Sequence, residues 1–369
     1  MKRIYIAVLN DLVTDNRVHK VASTLLESGA KVTVVGILRD SSENIENRPY
    51  QTKRFKLIFK RGPGFYLEYN LRIFLYLIFK RADFIVANDL DTLLGTYYAS
   101  KIKFKTLIYD SHEYFTELPE LVEREFPKKV WKILESRILP KLKHSYTVSE
   151  SIAKTYKKQY GVDMKVVRNV PFKSIRSKKD ESKKNGTKLI LYQGSLNIGR
   201  GLEQLIDAME FLEDTKLILV GDGDITEKLR ERIIKKDVAE KVDLKGRGPF
   251  DELPSITEKA DLGIALEENI GLNYYYALPN KLFDYIQAGV PVLVSPFPEM
   301  QKIVNKYEIG TVYDHKTPKA LADKITEVFS LKNRYNKWKE NTYIAAEELC
   351  WENEKNILKE VYTQAGLVF

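Results

Sequence analysis

The chain predicts two doubly wound α/β domains, each built on a parallel sheet and facing one another across a deep cleft. Three observations lead there. Short apolar runs alternate with helix-length segments, as in parallel strands joined by crossover helices. The alternation restarts after a polar, cation-rich stretch at about 171–187. A chain of 369 residues is also too long for one ordinary core.

In the first half a strand fits 4–9, a helix fits 17–27 and stops at Gly29, and a second strand fits 31–36. Further strands fit 84–87, 106–110 and 144–148. The second half opens with a strand over 188–193, then a helix over 202–211 and a strand over 216–220. Strands at 242–245, 262–265 and 292–295 continue the series, and 351–362 reads as a helix. Domains are expected at 1–170 and 188–350, with a linker at 171–187 and the segment 351–369 packing back on the first. Doubly wound sheets take ligands at the carboxyl ends of their strands, so chemistry is sought in those loops.

A hydrophobic fraction of 44% with 30% charged residues belongs to a globular protein, and no stretch is apolar enough to span a bilayer. The single cysteine, Cys350, rules out an internal disulfide and reads as a packed small hydrophobe. The apolar run at 4–9 is too short for a secretion signal, and a cytoplasmic location is expected.

The net charge of +9 points to anionic partners. Lys53, Arg54, Lys56, Lys60 and Arg61 precede a long apolar segment that Lys80 and Arg81 close. This 53–81 region is either a core helix with solvated lysines or a peripheral contact with anionic membrane. Arg176, Lys178, Lys179, Lys183 and Lys184 read as a solvated linker. With no zinc-finger spacing or RNA-binding motif, no nucleic-acid partner is expected.

The densest segment is 278–295, LPNKLFDYIQAGVPVLVS. Pro279 suits the turn before a helix, Asn280 its N-cap, Gly289 and Pro291 its end, and Val292, Leu293 and Val294 a buried strand. Lys281 and Asp284 share a face of the first turn. A helix start with free N–H groups, a lysine and a carboxylate suits a nucleoside diphosphate and its ribose. A capped helix with idle surface charges is the plain alternative. Gly194, Gly199 and Gly201, with Arg200, follow the strand at 188–193, where glycines admit a phosphate to backbone N–H groups. A loop needing glycine geometry explains them equally well, and the spacing is not that of a dinucleotide fold. Gly221 to Asp224 forms another tight turn. Its Asp-Gly-Asp and the Asp89-Leu90-Asp91 run are common loop patterns, so no metal or other cofactor is expected.

In the first half, Asp110-Ser111-His112-Glu113 ends a strand, where His112 could meet a sugar hydroxyl or phosphate or shuttle a proton. Three polar neighbours favour that over a structural loop histidine. His19, His144 and His315 are read as structural. Asn10, Asp11, Thr14, Asp15, Asn16 and Arg17 form a polar first loop, suited to substrate contacts.

Together these residues resemble the retaining nucleotide-sugar glycosyltransferases of the GT-B fold, glycosyltransferase family 4 (glycosyl transferases group 1). The resemblance runs from Asp15-Asn16-Arg17-Val18 through Ala87-Asn88-Asp89, Tyr109 to Glu113, Thr147 to Glu150 and Arg168 to Pro171. It continues through Gly194, Arg200-Gly201-Leu202 and Val220 to Gly223, and ends at 279–292. It implies two Rossmann-like domains, the second holding the nucleotide and the first most of the acceptor. It further implies that Arg200 and Lys281 neutralise the diphosphate, Leu282 and Phe283 offer N–H groups, and Asp284 binds the ribose. His112 would touch the donor sugar, and Glu268 or Asn273 would read its hydroxyls. Gly194, Ser195, Gly201 and Gly221 complete the donor side. Asp15, Asn16, Arg17 and Glu113 would face the acceptor.

Two departures stand out: Ser195 takes the place of a frequent arginine, and Tyr276 that of the first of two glutamates. Asp284 also shortens the second glutamate by one methylene. The expected reaction is transfer with retention from a nucleotide sugar, UDP favoured and GDP next, to a polysaccharide or lipid-linked glycan. A catalytically degenerate partner of another transferase and a sugar-nucleotide epimerase are the alternatives.

Overall fold

A computed structural model describes residues 1–45, 47–122, 124–174, 186–247, 252–314 and 317–369. The cation run at 176–184 and His315 lie outside these residues. The chain divides into two compact units, Met1–Asn169 with Asn353–Phe369, and Val170–Glu352.

The first unit runs β1 (Arg3–Ala7), α1 (Asn16–Leu26), β2 (Lys31–Leu38), β3 (Gln51–Lys56), α2 (Pro63–Phe79), β4 (Phe84–Asn88), α3 (Leu90–Ile102) and β5 (Thr106–Ser111). After α4 (Pro119–Val122) and α5 (Glu125–Ile138) come β6 (His144–Thr147), α6 (Glu150–Tyr160) and β7 (Lys165–Val166). The strands form one parallel sheet in the order β3-β2-β1-β4-β5-β6-β7. β4 is buried along its whole length, as a central parallel strand must be. β3, QTKRFK, is an exposed edge strand that carries charges where an inner strand would carry apolar residues. Asp15 caps α1 by accepting from the Val18 N–H, and Ser149 caps α6 through Ile152.

The second unit runs β8 (Lys188–Gln193), α7 (Leu202–Ala208), β9 (Thr215–Val220), α8 (Thr226–Lys235), β10 (Val242–Gly246), α9 (Leu253–Lys259), β11 (Leu262–Ala265), α10 (Leu272–Tyr275), α11 (Asn280–Ala288) and β12 (Val292–Val294). Then follow α12 (Pro298–Tyr307), β13 (Gly310–Val312), α13 (Pro318–Ser330) and α14 (Lys332–Glu348). Its parallel sheet has the order β10-β9-β8-β11-β12-β13. Ile190, Tyr192, Leu217, Leu219, Leu262 and Ile264 build the core with Leu205 and Ile206 of α7 and Leu229 of α8. Cys350 is buried, its thiol directed at the Glu347 carbonyl.

Within α15 (Trp351–Gln364), residues from Asn353 onward belong to the first unit. Glu354 accepts from both the backbone N–H and the guanidinium of Arg168 at 2.9 Å, and Lys355 and Lys359 pair with Glu27 of the α1 C-cap. Among the described residues no helix is long and apolar enough to cross a membrane.

Candidate functional site

The segment 278–295 folds as its punctuation dictates. Pro279, in extended backbone, holds the N-cap position, so Asn280 is the first helical residue rather than the cap. Gly289, at φ 75°, closes α11 in the left-handed conformation, and its N–H donates to the Ile286 carbonyl. The helix seats Leu282, Phe283, Tyr285 and Ile286 in the core. The Tyr285 hydroxyl lies 3.1 Å from the Leu191 carbonyl of β8 and 3.2 Å from the Ile264 carbonyl of β11, and accepts from the Gln193 N–H. This pins the second turn of the helix against the two central strands.

Lys281 is not a surface charge. It is buried, with its ammonium 3.0 Å from Glu267 Oε1 and 4.1 Å from the centre of the Tyr192 ring. Arg200 holds the other oxygen of Glu267 and stacks over Tyr274 at 4.5 Å. Glu267 is fully buried. Burial pushes its carboxyl up, but Lys281 and Arg200 outweigh burial and hold it below the usual range. Two cations on one carboxylate leave a net positive charge in a low-dielectric site, and the buried Arg200 Nε has no hydrogen-bond partner among the described residues. An anion bearing several oxygens fits such a site.

Three residues beyond Lys281, the partly buried Asp284 carboxylate accepts from Gln193 Nε2 at 2.9 Å. Gln193 Oε1 in turn accepts from Thr257 at 2.7 Å. Gln193 is thereby fixed in orientation and aims an amide donor at the carboxylate.

The glycine loops divide the work. Gly194 and Ser195 are exposed just past β8, and a Cβ on Gly194 would come 3.4 Å from the Lys281 side chain. Gly201, at φ 67°, starts α7. Gly221 is not a phosphate-loop glycine. Its N–H donates to the Gly246 carbonyl at 2.9 Å, and a Cβ there would collide with the Gly194 carbonyl, so it serves close packing of two loops. The Leu282 N–H likewise donates within the first turn, to the Pro279 carbonyl at 3.1 Å, rather than pointing out toward a ligand. The Phe283 side chain is core. Glu268 lines a separate hollow with Glu203, Gln204, Asp207, Arg232 and Pro318. It is therefore Glu267, which sequence reasoning passed over, that meets the two cations. An acidic residue abutting the apolar run 262–266 was the available signal, because a carboxylate there has to find a cation. Asn273 is buried on α10 beside Tyr274.

In the first unit the strand ends gather a second charged cluster. His112 Nε2 lies 3.1 Å from Asp110 Oδ2 and 3.2 Å from Asn88 Oδ1, and Nδ1 lies 3.4 Å from Asp89 Oδ2. The His112 N–H also donates to Asp89. Burial lowers the imidazole's pKa, but Asp110 and Asp89 more than reverse this and raise it to about 9. Burial raises Asp110, which Arg17 and His112 then bring down to about 2. Both ring nitrogens of His112 thus face carboxylates, which favours its charged form.

Arg17 is also displaced from its expected role. It is buried, forked onto Asp110 at 2.6 and 3.2 Å and bonded to the Val167 carbonyl, so it braces the cluster instead of facing an acceptor. Asp15 is the α1 cap and also accepts from Asn10, while Asn16 is exposed and Glu113 half-buried. His19 packs against Tyr50. Among the described residues no three His, Cys, Asp or Glu side chains are placed to hold a metal ion.

The family described as "Glycosyl transferases group 1" matches residues 174–344, and "Glycosyltransferase Family 4" matches 15–171. The chitobiosyldiphosphodolichol beta-mannosyltransferase of Candida albicans is 29% identical over 153 residues, 39% of this chain and 33% of that protein. The chain spans 33% and 44% of the two curated relatives it matches. Among solved structures, sucrose-phosphate synthase from Thermosynechococcus elongatus has a TM-score of 0.81 at 16% identity, covering 99% of both chains. Anabaena HepE, solved with UDP-glucose, has a TM-score of 0.76 at 15% identity over the whole of both chains.

Proposed function

The chain belongs to the group 1 glycosyl transferases, glycosyltransferase family 4, with the GT-B fold, and from that premise we propose that it moves a hexose from a nucleotide sugar to a glycan acceptor. The observation that carries the reading is the buried Arg200–Glu267–Lys281 cluster at the start of α11, with Asp284 one turn on. In this reading the donor diphosphate lies on Arg200 and Lys281, and Asp284, aimed by Gln193, accepts from the ribose hydroxyls. As the bond from the sugar's anomeric carbon to the diphosphate oxygen breaks, negative charge grows on the leaving group. The two cations then strengthen their hold, which lowers the barrier. The acceptor hydroxyl forms the new bond on the retained face and gives its proton to a donor phosphate oxygen.

UDP is the favoured nucleotide, supported by the UDP-glucose complex of the Anabaena protein. GDP comes next, and the name of the Candida relative makes mannose the second sugar to try. The acceptor is a polysaccharide or lipid-linked glycan, and the 53–81 region is a peripheral contact with anionic membrane. His112 enters as a fixed positive charge, not as a base.

Thermal stability of the wild type and Lys281→Ala against UDP, GDP, ADP, CMP and NAD tests the donor site. A shift with one nucleoside diphosphate, lost in the variant, is expected; no shift with any of them would sink the reading. Proton NMR of the first-formed product then reports the anomeric configuration, and inversion would remove the retaining step. A degenerate partner protein is the second reading, favoured by Ser195 and Tyr276, and it requires folded protein that binds none of these nucleotides.

A further inference from the structure

The first unit exposes large apolar side chains on the outer faces of three helices. On α2, Leu67, Leu71 and Leu75 recur every fourth residue and are 67%, 56% and 46% exposed, while Tyr69, Ile73 and Leu77 fill the core behind them. A surface helix ordinarily turns a polar face outward. On α3, Tyr98 and Ile102 are exposed, and Phe104 just beyond its end is 94% exposed. On α5, Phe126, Val130 and Ile133 repeat the pattern.

These stripes share one side of the sheet. The crossovers β3 to β4, β4 to β5 and β5 to β6 all advance in the same direction through the strand order, and right-handed connections put their helices on one face. Packing agrees: the Gly95 N–H of α3 donates to Asn70 of α2, and Tyr66 of α2 meets Trp131 of α5 edge-on at 5.1 Å. Cations rim the same face. Lys60 and Arg61 precede α2, Lys80 and Arg81 follow it, and Lys129 and Lys132 lie exposed along α5, with Lys60 also paired to Asp40 and Lys132 to Glu117. A face rimmed by so many like charges repels a second copy of itself and attracts an anionic surface.

We propose that the joined outer faces of α2, α3 and α5 form a docking surface for the anionic leaflet of a lipid bilayer. The leucines, Phe104 and the α5 stripe enter the boundary between headgroups and acyl chains, and the lysines and arginines meet lipid phosphates. This deepens the peripheral-contact reading of 53–81 by adding two helices that lie outside that segment, and it does not depend on the donor site.

The test is co-flotation of the full chain with phosphatidylcholine vesicles, with and without phosphatidylglycerol, for the wild type, Leu71→Ser, Phe104→Ser and Val130→Ser. Unchanged melting temperatures establish that each variant is folded, whether or not any nucleotide binds. The wild type is expected on the anionic vesicles only. Leu71→Ser and Val130→Ser should each weaken partitioning several-fold and Phe104→Ser about tenfold, as befits side chains of this size leaving an apolar phase. Equal, weak recovery with both vesicle types would overturn the proposal. So would loss confined to Leu71→Ser, or a concentration-dependent dimer abolished by the same variants.

Discussion

Glu267→Gln separates a residue that organises the donor site from one that touches the donor. Wild-type Glu267 is fully buried and neutralises two cations whose side chains are 24% and 8% exposed. Glutamine keeps the shape and removes the charge, so Arg200 and Lys281 face one another with no counter-ion. Removing one partner of a buried ion pair costs about 3–5 kcal/mol. For a unit of this size that corresponds to a fall of about 6–20 °C in melting temperature. The same change frees both cations for a diphosphate. The variant should therefore gain more from UDP than the wild type does, exceeding the roughly 2.7 kcal/mol that a ligand at a hundred times its Kd supplies. Differential scanning fluorimetry with and without UDP, with Kd from calorimetry, reads both effects. A variant that melts with the wild type would refute the charge argument. One that loses UDP as Lys281→Ala is expected to would make Glu267 a donor contact instead.

Other consequences are as direct. His112 has its pKa raised from 6.5 to about 9, so its contribution to stability, about 3 kcal/mol, is whole below pH 6.5 and lost as pH rises through 9. His112→Gln should flatten that slope, and an imidazole seen by NMR to titrate near 6.5 would contradict the cluster. Gln193→Leu removes a charge-assisted hydrogen bond to Asp284, worth about 1.5–3 kcal/mol, and should raise the Kd for UDP at least several-fold in calorimetry. An unchanged Kd would detach Asp284 from the donor. Gly221→Ala places a Cβ on the Gly194 carbonyl at a φ of 146°, and a loss of about 3 kcal/mol or more is expected in urea unfolding. Wild-type stability would mean that the two loops can part.

Much of the architecture was legible because buried parallel strands are near-continuous apolar runs. The strands at 188–193 and 262–265 match β8 and β11 at both ends. The helix expected over 202–211 tightens into a 3-10 turn from Met209, and β3 was hidden because QTKRFK lacks an apolar run and reads only as a cation group. The site was legible where a side chain's chemistry is local, as with Lys281 beside the Pro279 cap. It was not legible where partners arrive from distant segments. Nothing near Arg17 in sequence announces Asp110 and the Val167 carbonyl, which bury its guanidinium. The adjacent pair Glu267 and Glu268 differ only in direction, and one residue's rotation along the chain past β11 sends them to different surroundings.

The first unit is completed by residues 353–369, which reach it only after the whole of the second unit has been traversed. During synthesis Val170–Glu352 emerges as an unbroken stretch able to close its own sheet. The earlier unit waits with Arg168 lacking Glu354, Glu27 lacking its two lysines, and Tyr146 lacking the ring of Tyr362. Vectorial folding therefore runs out of order here. The half translated first is finished last, since residues 353–369 are made only after the whole of the second unit has been.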